Sequence, residues 1–83
     1  MSSMSQKPEI RRFGEKLRSL RRGHGYSTLR LAQILGYSTH SYLNEIETGK
    51  KAPTLELVIK ISNLFQVTTD SLLRDEIELN NGR

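Results

Sequence analysis

The sequence predicts an all-α fold in a single domain. Apolar residues recur at the three- and four-residue spacing of helices from Arg11 onward. Glycine, proline, serine and threonine separate these stretches, at positions where helices begin and end. The chain has 83 residues, 35% of them hydrophobic and 27% charged, which suits one small soluble domain rather than a disordered segment.

The first predicted helix covers residues 9–22 and follows a polar leader, residues 1–8. The leader lacks an apolar stripe and is expected to be flexible. The helix has an inward stripe of Ile10, Phe13, Leu17 and Leu20. Gly14 within it costs about 1 kcal/mol relative to alanine. We expect that cost to reflect a close helix crossing, which the missing Cβ would permit.

Two short helices joined by a glycine turn are predicted between Ser27 and Lys51. Ser27 is a good N-cap for the first of them, whose buried stripe is Leu31, Ala32 and Leu35. Gly36 can end that helix in the left-handed conformation. Ser38 or Thr39 can cap the second helix, which is expected to turn Leu43 and Ile46 inward.

Two further helices complete the domain. Thr54 is predicted to cap a fourth helix over residues 55–65, with an inward stripe of Val58, Ile61, Leu64 and Phe65. Leu55 and Ile59 lie outside that stripe, which indicates a helix covered by a partner or fully buried. A last helix over residues 69–76, capped by Thr68 or Thr69, should turn Leu72 and Leu73 inward. Residues 77–83 form an acidic and polar tail.

Composition favours a polyanionic partner and argues against catalysis. The net charge is +4, and basic residues crowd the first third of the chain. The chain has no cysteine, no metal-ligand spacing and no glycine-rich phosphate loop, so we predict no enzymatic activity, no metal and no cofactor. Of the two histidines, His24 is expected to be solvated. No apolar run could cross a membrane, and we expect a cytoplasmic protein.

Several segments together resemble the Cro and phage-repressor type of helix-turn-helix protein, the XRE family. They are FGEKLRSLR (residues 13–21), LAQILG (31–36), IETGK (46–50) and Pro53. The resemblance implies a five-helix, lambda-repressor-like DNA-binding domain over residues 9–76, with helices 2 and 3 as the helix-turn-helix. This chain has one more residue between Gly36 and Leu43 than the family's commonest pattern, which predicts a longer turn.

The resemblance also implies roles for individual residues. Phosphate contacts fall on Ser27, Thr28, Arg30, Lys50 and Lys51. Base contacts fall on Thr39, His40, Ser41, Asn44 and Glu45. Arg21 and Glu47 match a pair that joins the first helix to the end of the third, and we interpret them as a structural ion pair rather than as DNA ligands.

These expectations describe a transcription regulator, repressor-like, that binds an operator in double-stranded DNA as a homodimer. The dimer interface is predicted on Leu55, Ile59, Ile77 and Leu79. One alternative is an antitoxin or the controller of a restriction-modification operon. Another is a protein-interaction adaptor that does not bind DNA and whose basic surface serves solubility. For the segment between Ser27 and Lys51 alone, the alternative is a helical hairpin used only for packing.

Overall fold

The computed structural model describes residues 11–79 of the chain. Within that range all the regular secondary structure is helical and there is no strand, so the all-α prediction is confirmed. Five helices follow one another along the chain: α1 (Phe13–Gly23), α2 (Thr28–Leu35), α3 (Ser41–Glu47), α4 (Leu55–Phe65) and α5 (Thr69–Leu73). The predicted leader, together with Glu9 and Ile10, lies outside the described residues, as do residues 80–83.

Hydroxyl caps begin three of the five helices. The side chains of Ser27, Thr54 and Thr68 each accept a hydrogen bond from the backbone N–H three residues later, at 3.0, 3.1 and 3.0 Å. The predicted caps of α2 and α4 are confirmed, and Thr68 rather than Thr69 caps α5. Gly36 ends α2 in the left-handed conformation, with φ of 89°, as predicted.

Three predicted boundaries were wrong. Arg11 and Arg12 precede α1, which begins at Phe13. Neither Ser38 nor Thr39 caps α3, because the chain stays irregular until His40, which occupies the N-cap position without a side-chain cap bond. The last helix ends at Leu73, and the chain turns to extended backbone at Arg74 instead of continuing to residue 76.

All five helices contribute to one hydrophobic core. Thirteen hydrophobic residues are buried there: Phe13, Leu17, Leu20, Leu31, Ala32, Leu35, Leu43, Ile46, Leu57, Val58, Ile61, Phe65 and Leu72. The predicted inward residues of α2 and α3 are among them. In α4 the buried side of the helix differs from the predicted one. Leu57, which was not predicted to face inward, is fully buried, whereas Leu64, which was, is only half-buried.

Gly14 marks the predicted close crossing. A Cβ at this position would lie 2.8 Å from the carbonyl oxygen of Glu47 and closer still to that of Ile46. Both are backbone atoms of α3, which cannot move aside as a flexible side chain can. The glycine therefore lets the backbones of α1 and α3 touch, and this contact sets the distance between them.

Lys16 explains the early end of α5. Its buried ammonium group donates to the carbonyl oxygens of Ser71 at 2.6 Å, Arg74 at 2.7 Å and Ile77 at 2.6 Å. The last carbonyls of a helix lack partners within it, and here a cation on α1 satisfies them. The chain bends around this group instead of remaining helical.

Asp75 ties the same segment to the start of α1. Its carboxylate accepts hydrogen bonds from the backbone N–H of Arg12 at 3.0 Å and from that of Arg11 at 3.0 and 3.1 Å. These hydrogen bonds lower the pKa of the Asp75 carboxyl below its ordinary value. The Arg12 side chain also binds Glu78 at 3.0 Å. Residues 75–79 thus form a clasp that fixes the beginning of α1.

Candidate nucleic-acid interface

One surface gathers the segments that the sequence marked for DNA contact. It comprises the beginning of α2, the 36–40 connection, the outward side of α3 and the 48–53 connection, and we call it the reading face. The fold places each part beside the next because α2 and α3 pack against each other and α1 crosses α3. Most side chains predicted to touch DNA on this surface are exposed.

Arg21 fixes the orientation of both helices of the hairpin. Its guanidinium binds the two carboxylate oxygens of Glu47, Nε to Oε2 at 2.7 Å and Nη2 to Oε1 at 3.1 Å. The remaining terminal nitrogen donates to the carbonyl of Tyr26 at 2.9 Å, just before the cap of α2. One side chain of α1 therefore holds the entry to α2 and the exit from α3.

The Arg21–Glu47 pair is shielded from water. The side chain of Glu47 is 3% exposed and that of Arg21 is 11% exposed. Arg18 adds a second cation, with Nε at 3.3 Å from Glu47 Oε1. Bidentate arginine–carboxylate bonds are directional, so this network determines how far α3 can rotate about its own axis.

A side chain of helix α4 contacts the turn between α2 and α3. The ammonium group of Lys60 donates to the carbonyl of Leu35, the last residue of α2, at 2.8 Å. The same group lies 4.5 Å from the centre of the Tyr37 ring, a cation–π contact. Burial of that ring raises the pKa of the Tyr37 phenol. Tyr37 in turn packs edge-on against Tyr42 of α3.

Sequence reasoning missed Lys60, Arg18 and Lys16. Each binds a group far away along the chain, and the acceptor for two of them is a backbone carbonyl. A carbonyl is present at every residue, so no side-chain pattern marks these contacts. His24 is exposed, as expected, and in addition its ring packs edge-on against Phe65 and its Nδ1 lies 3.0 Å from the carbonyl of Leu20.

The residues predicted to read bases stand on two different elements. Thr39 and His40 precede α3, whereas Ser41, Asn44 and Glu45 belong to it. All are exposed except Glu45, which is half-buried. The Asn44 amide nitrogen lies 2.9 Å from His40 Nδ1, so these two side chains form a connected pair.

The residues predicted to bind phosphate lie at two ends of the reading face. Ser27, Thr28 and Arg30 stand at the beginning of α2, where the Ser27 hydroxyl is used as the helix cap. Lys50 and Lys51 lie in the 48–53 connection. Lys51 Nζ is 3.1 Å from Glu45 Oε1, so a predicted phosphate ligand and a predicted base ligand are bound to each other.

The four predicted dimer residues differ in their surroundings. Leu55 is 73% exposed and Ile59 is 45% exposed, one helical turn apart on α4. Leu79 packs against the core of its own chain, and Ile77 is half-buried with its carbonyl bound to Lys16. Of these four residues, the exposed ones are therefore on α4 and not on the clasp.

Among residues 11–79 no group of three or more histidine, cysteine, aspartate or glutamate side chains could hold a metal ion. None of the five helices is both long and apolar enough to cross a membrane.

Several proteins with sequences similar to this chain are named HTH-type transcriptional regulators or activators. YonR, an SPbeta prophage-derived uncharacterized HTH-type transcriptional regulator of Bacillus subtilis strain 168, is 42% identical over 62 residues, covering 75% of this chain and 56% of YonR. The HTH-type transcriptional regulator ImmR of the same strain is 32% identical over 70 residues, which are 83% of this chain and 54% of ImmR. The HTH-type transcriptional activator BcrR of Enterococcus faecalis is 39% identical over 64 residues, 77% of this chain and 31% of BcrR.

The aligned part of this chain spans at most 56% of the length of these relatives. No solved structure matches it at a significant level. Residues 17–72 match the helix-turn-helix family, a range that begins within α1 and ends within α5 and so contains the whole reading face. The chain belongs to the helix-turn-helix family of the Cro and phage-repressor type, whose members are DNA-binding transcription regulators.

Proposed function

We propose that this chain binds an operator in double-stranded DNA, reads its bases with the outward side of α3 and regulates transcription in the cytoplasm as a homodimer. The observation that carries the proposal is the construction of the reading face. α3 is fixed from behind by the Gly14 crossing and the Arg21–Glu47 pair, while its outward side keeps small polar side chains exposed. Such a helix has the size and the hydrogen-bonding groups to enter a major groove.

Phosphate contacts at both ends would set the position of α3 in the groove. The first turn of a helix carries backbone N–H groups without helical partners, so the beginning of α2 around Thr28 suits a phosphate. Arg30 is exposed beside it. Lys50 and Lys51 would meet the backbone on the other side of α3. Contacts of this kind orient the protein without reading sequence.

Dimerisation would use the exposed apolar surface of α4. Leu55 and Ile59 are among the most exposed large hydrophobic residues, and they lie one turn apart on one side of the helix. A single domain makes few base contacts, and two-fold symmetry doubles them on a pseudo-palindromic site. Half-site centres are then expected about one helical turn, roughly 10–10.5 base pairs, apart.

Selection from a random DNA pool, followed by titration of the selected site, tests the proposal. Asn44→Ala should weaken binding to the selected site by about 1–3 kcal/mol and leave random DNA unaffected, whereas Asn63→Ala, an exposed asparagine of α4, should change neither. Lys50→Ala should weaken both kinds of DNA and reduce the salt slope by about 1. No enriched site and no binding at low salt would support the adaptor interpretation instead.

Sedimentation equilibrium tests the dimer separately. The wild-type chain should associate at micromolar concentration, and Ile59→Lys should shift it to monomer. Ile34→Lys is the matched control, since Ile34 is also exposed, at 36%, but lies on α2. A wild-type chain that is monomeric both free and on DNA would rule out the homodimer.

A further inference from the structure

The side chains of His40 and Asn44 contact each other, and this contact does not cap or complete the helix α3. His40 occupies the N-cap position of α3, yet its side chain makes no cap hydrogen bond. Instead its Nδ1 lies 2.9 Å from the amide nitrogen of Asn44, one helical turn further on. Both side chains are exposed on the reading face. The imidazole is therefore directed at a predicted base ligand and not at the helix end.

This contact determines which ring nitrogen of His40 carries the proton. In the orientation that the structure gives Asn44, its amide nitrogen faces Nδ1 and can only donate, so Nδ1 accepts and the proton of the neutral His40 ring is on Nε2. His24 shows the opposite arrangement. Its Nδ1 faces the carbonyl of Leu20 at 3.0 Å, and a carbonyl only accepts, so the proton of His24 must be on Nδ1.

The same contact orients the amide of Asn44. An asparagine amide has two orientations related by a half-turn of its terminal torsion, and they exchange the oxygen with the nitrogen. With one N–H of Asn44 bound to His40, the amide presents its oxygen and its second N–H to solvent. An acceptor beside a donor is the pattern that pairs with N6 and N7 of adenine in the major groove.

We propose that His40 is a positioning residue that fixes the amide of Asn44 for reading one adenine, with the neutral His40 ring protonated at Nε2. The inference rests on the proposed function, specifically on a base contact by Asn44. His40 itself need not touch the adenine. Its Nε2–H lies on the other side of the ring from the Asn44 contact.

Nitrogen NMR of the two histidine rings in the free protein tests the orientation. The unprotonated nitrogen should be Nδ1 in His40 and Nε2 in His24, so one spectrum should contain both tautomers. Asn44→Ala should remove the preference in His40 and leave His24 unchanged. A proton on Nδ1 of His40 in the wild-type protein would overturn the proposal, because the amide would then have to turn its oxygen toward the ring.

Titration of operators carrying each base at the adenine position tests the consequence. His40→Ala should reduce the preference for adenine about tenfold, equal to about 1.4 kcal/mol, and leave affinity for random DNA unchanged. His40→Gln should restore much of that preference, since a glutamine oxygen can accept the same N–H. In His40→Ala/Asn44→Ala, the loss should not exceed that of Asn44→Ala alone.

The outcomes separate this inference from the proposed function. If Asn44→Ala removes the adenine preference and His40→Ala keeps it, the positioning role is overturned and the base contact stands. If Asn44→Ala also keeps every base preference, the base contact fails and the positioning role fails with it. Unchanged random-DNA affinity shows in each case that the variant is folded.

Discussion

The buried pair between Arg21 and Glu47 makes a quantitative prediction. Glu47→Gln keeps the volume of the side chain but replaces one carboxylate oxygen with an amide nitrogen, which faces the guanidinium donors. Breaking a buried ion pair costs about 3–5 kcal/mol, whereas an exposed pair contributes about 0–1. Glu47 is 3% exposed, but Arg21 keeps its bond to Tyr26. We therefore expect the lower end, about 3 kcal/mol.

Urea unfolding measures this loss directly. With a slope of about 1 kcal/mol per molar urea for a domain of this size, the midpoint should fall by about 3 M. Glu56→Gln is the matched control, because the Glu56–Lys60 pair at 3.1 Å is similar in length but the Glu56 side chain is 70% exposed. That control should lose about 0.3–0.5 kcal/mol. Equal urea midpoints for Glu47→Gln and Glu56→Gln would refute the structural role of the Arg21–Glu47 pair. Phosphate binding would then be the interpretation left for Arg21.

Three further substitutions test the surroundings of α3 and the end of α5. Gly14→Ala should destabilise the fold by about 1–2 kcal/mol, because the clash with α3 carbonyls outweighs a helix-propensity gain of about 1 kcal/mol, and thermal unfolding would measure it. Lys16→Met should cost about 3 kcal/mol in urea unfolding, roughly 1 for each carbonyl left without a donor, while Lys50→Met should cost little. Glu45→Gln should release Lys51, which strengthens binding to random DNA and raises the salt slope by about 1; an unchanged slope would contradict this.

Periodicity and capping predicted the parts of the fold that are local in sequence. The stripe of α2, the Ser27 and Thr54 caps and the turn at Gly36 all depend on residues within four positions of one another. The predicted end of α5 was wrong because a contact from elsewhere in the chain decides it. α5 ends where Lys16, 55 residues earlier than Ser71, draws three carbonyls together.

The sequence indicated which types of side chain the candidate site contains, but it did not indicate which of those side chains bind one another. The sequence marked Glu45 and Lys51 as separate DNA ligands, and the structure joins them at 3.1 Å. It marked His40 and Asn44 in the same way, and they also form a pair. Side-chain pairing depends on where each helix begins, and the onset of α3 at Ser41 was the boundary that sequence reasoning placed too early.

The contacts on the inner side of α3 explain how a helix of seven residues keeps the fixed geometry that the proposed base reading needs. An isolated helix this short is unstable in water, so its structure must come from contacts with the rest of the domain. Those contacts use Leu43, Ile46 and Glu47 on its inner side, together with the backbone carbonyls that meet Gly14. None of them requires a particular residue on the outward side. If α3 reads bases as proposed, its outward residues can be exchanged to read another operator, and the structural constraint on them is their pairing, His40 with Asn44 and Glu45 with Lys51.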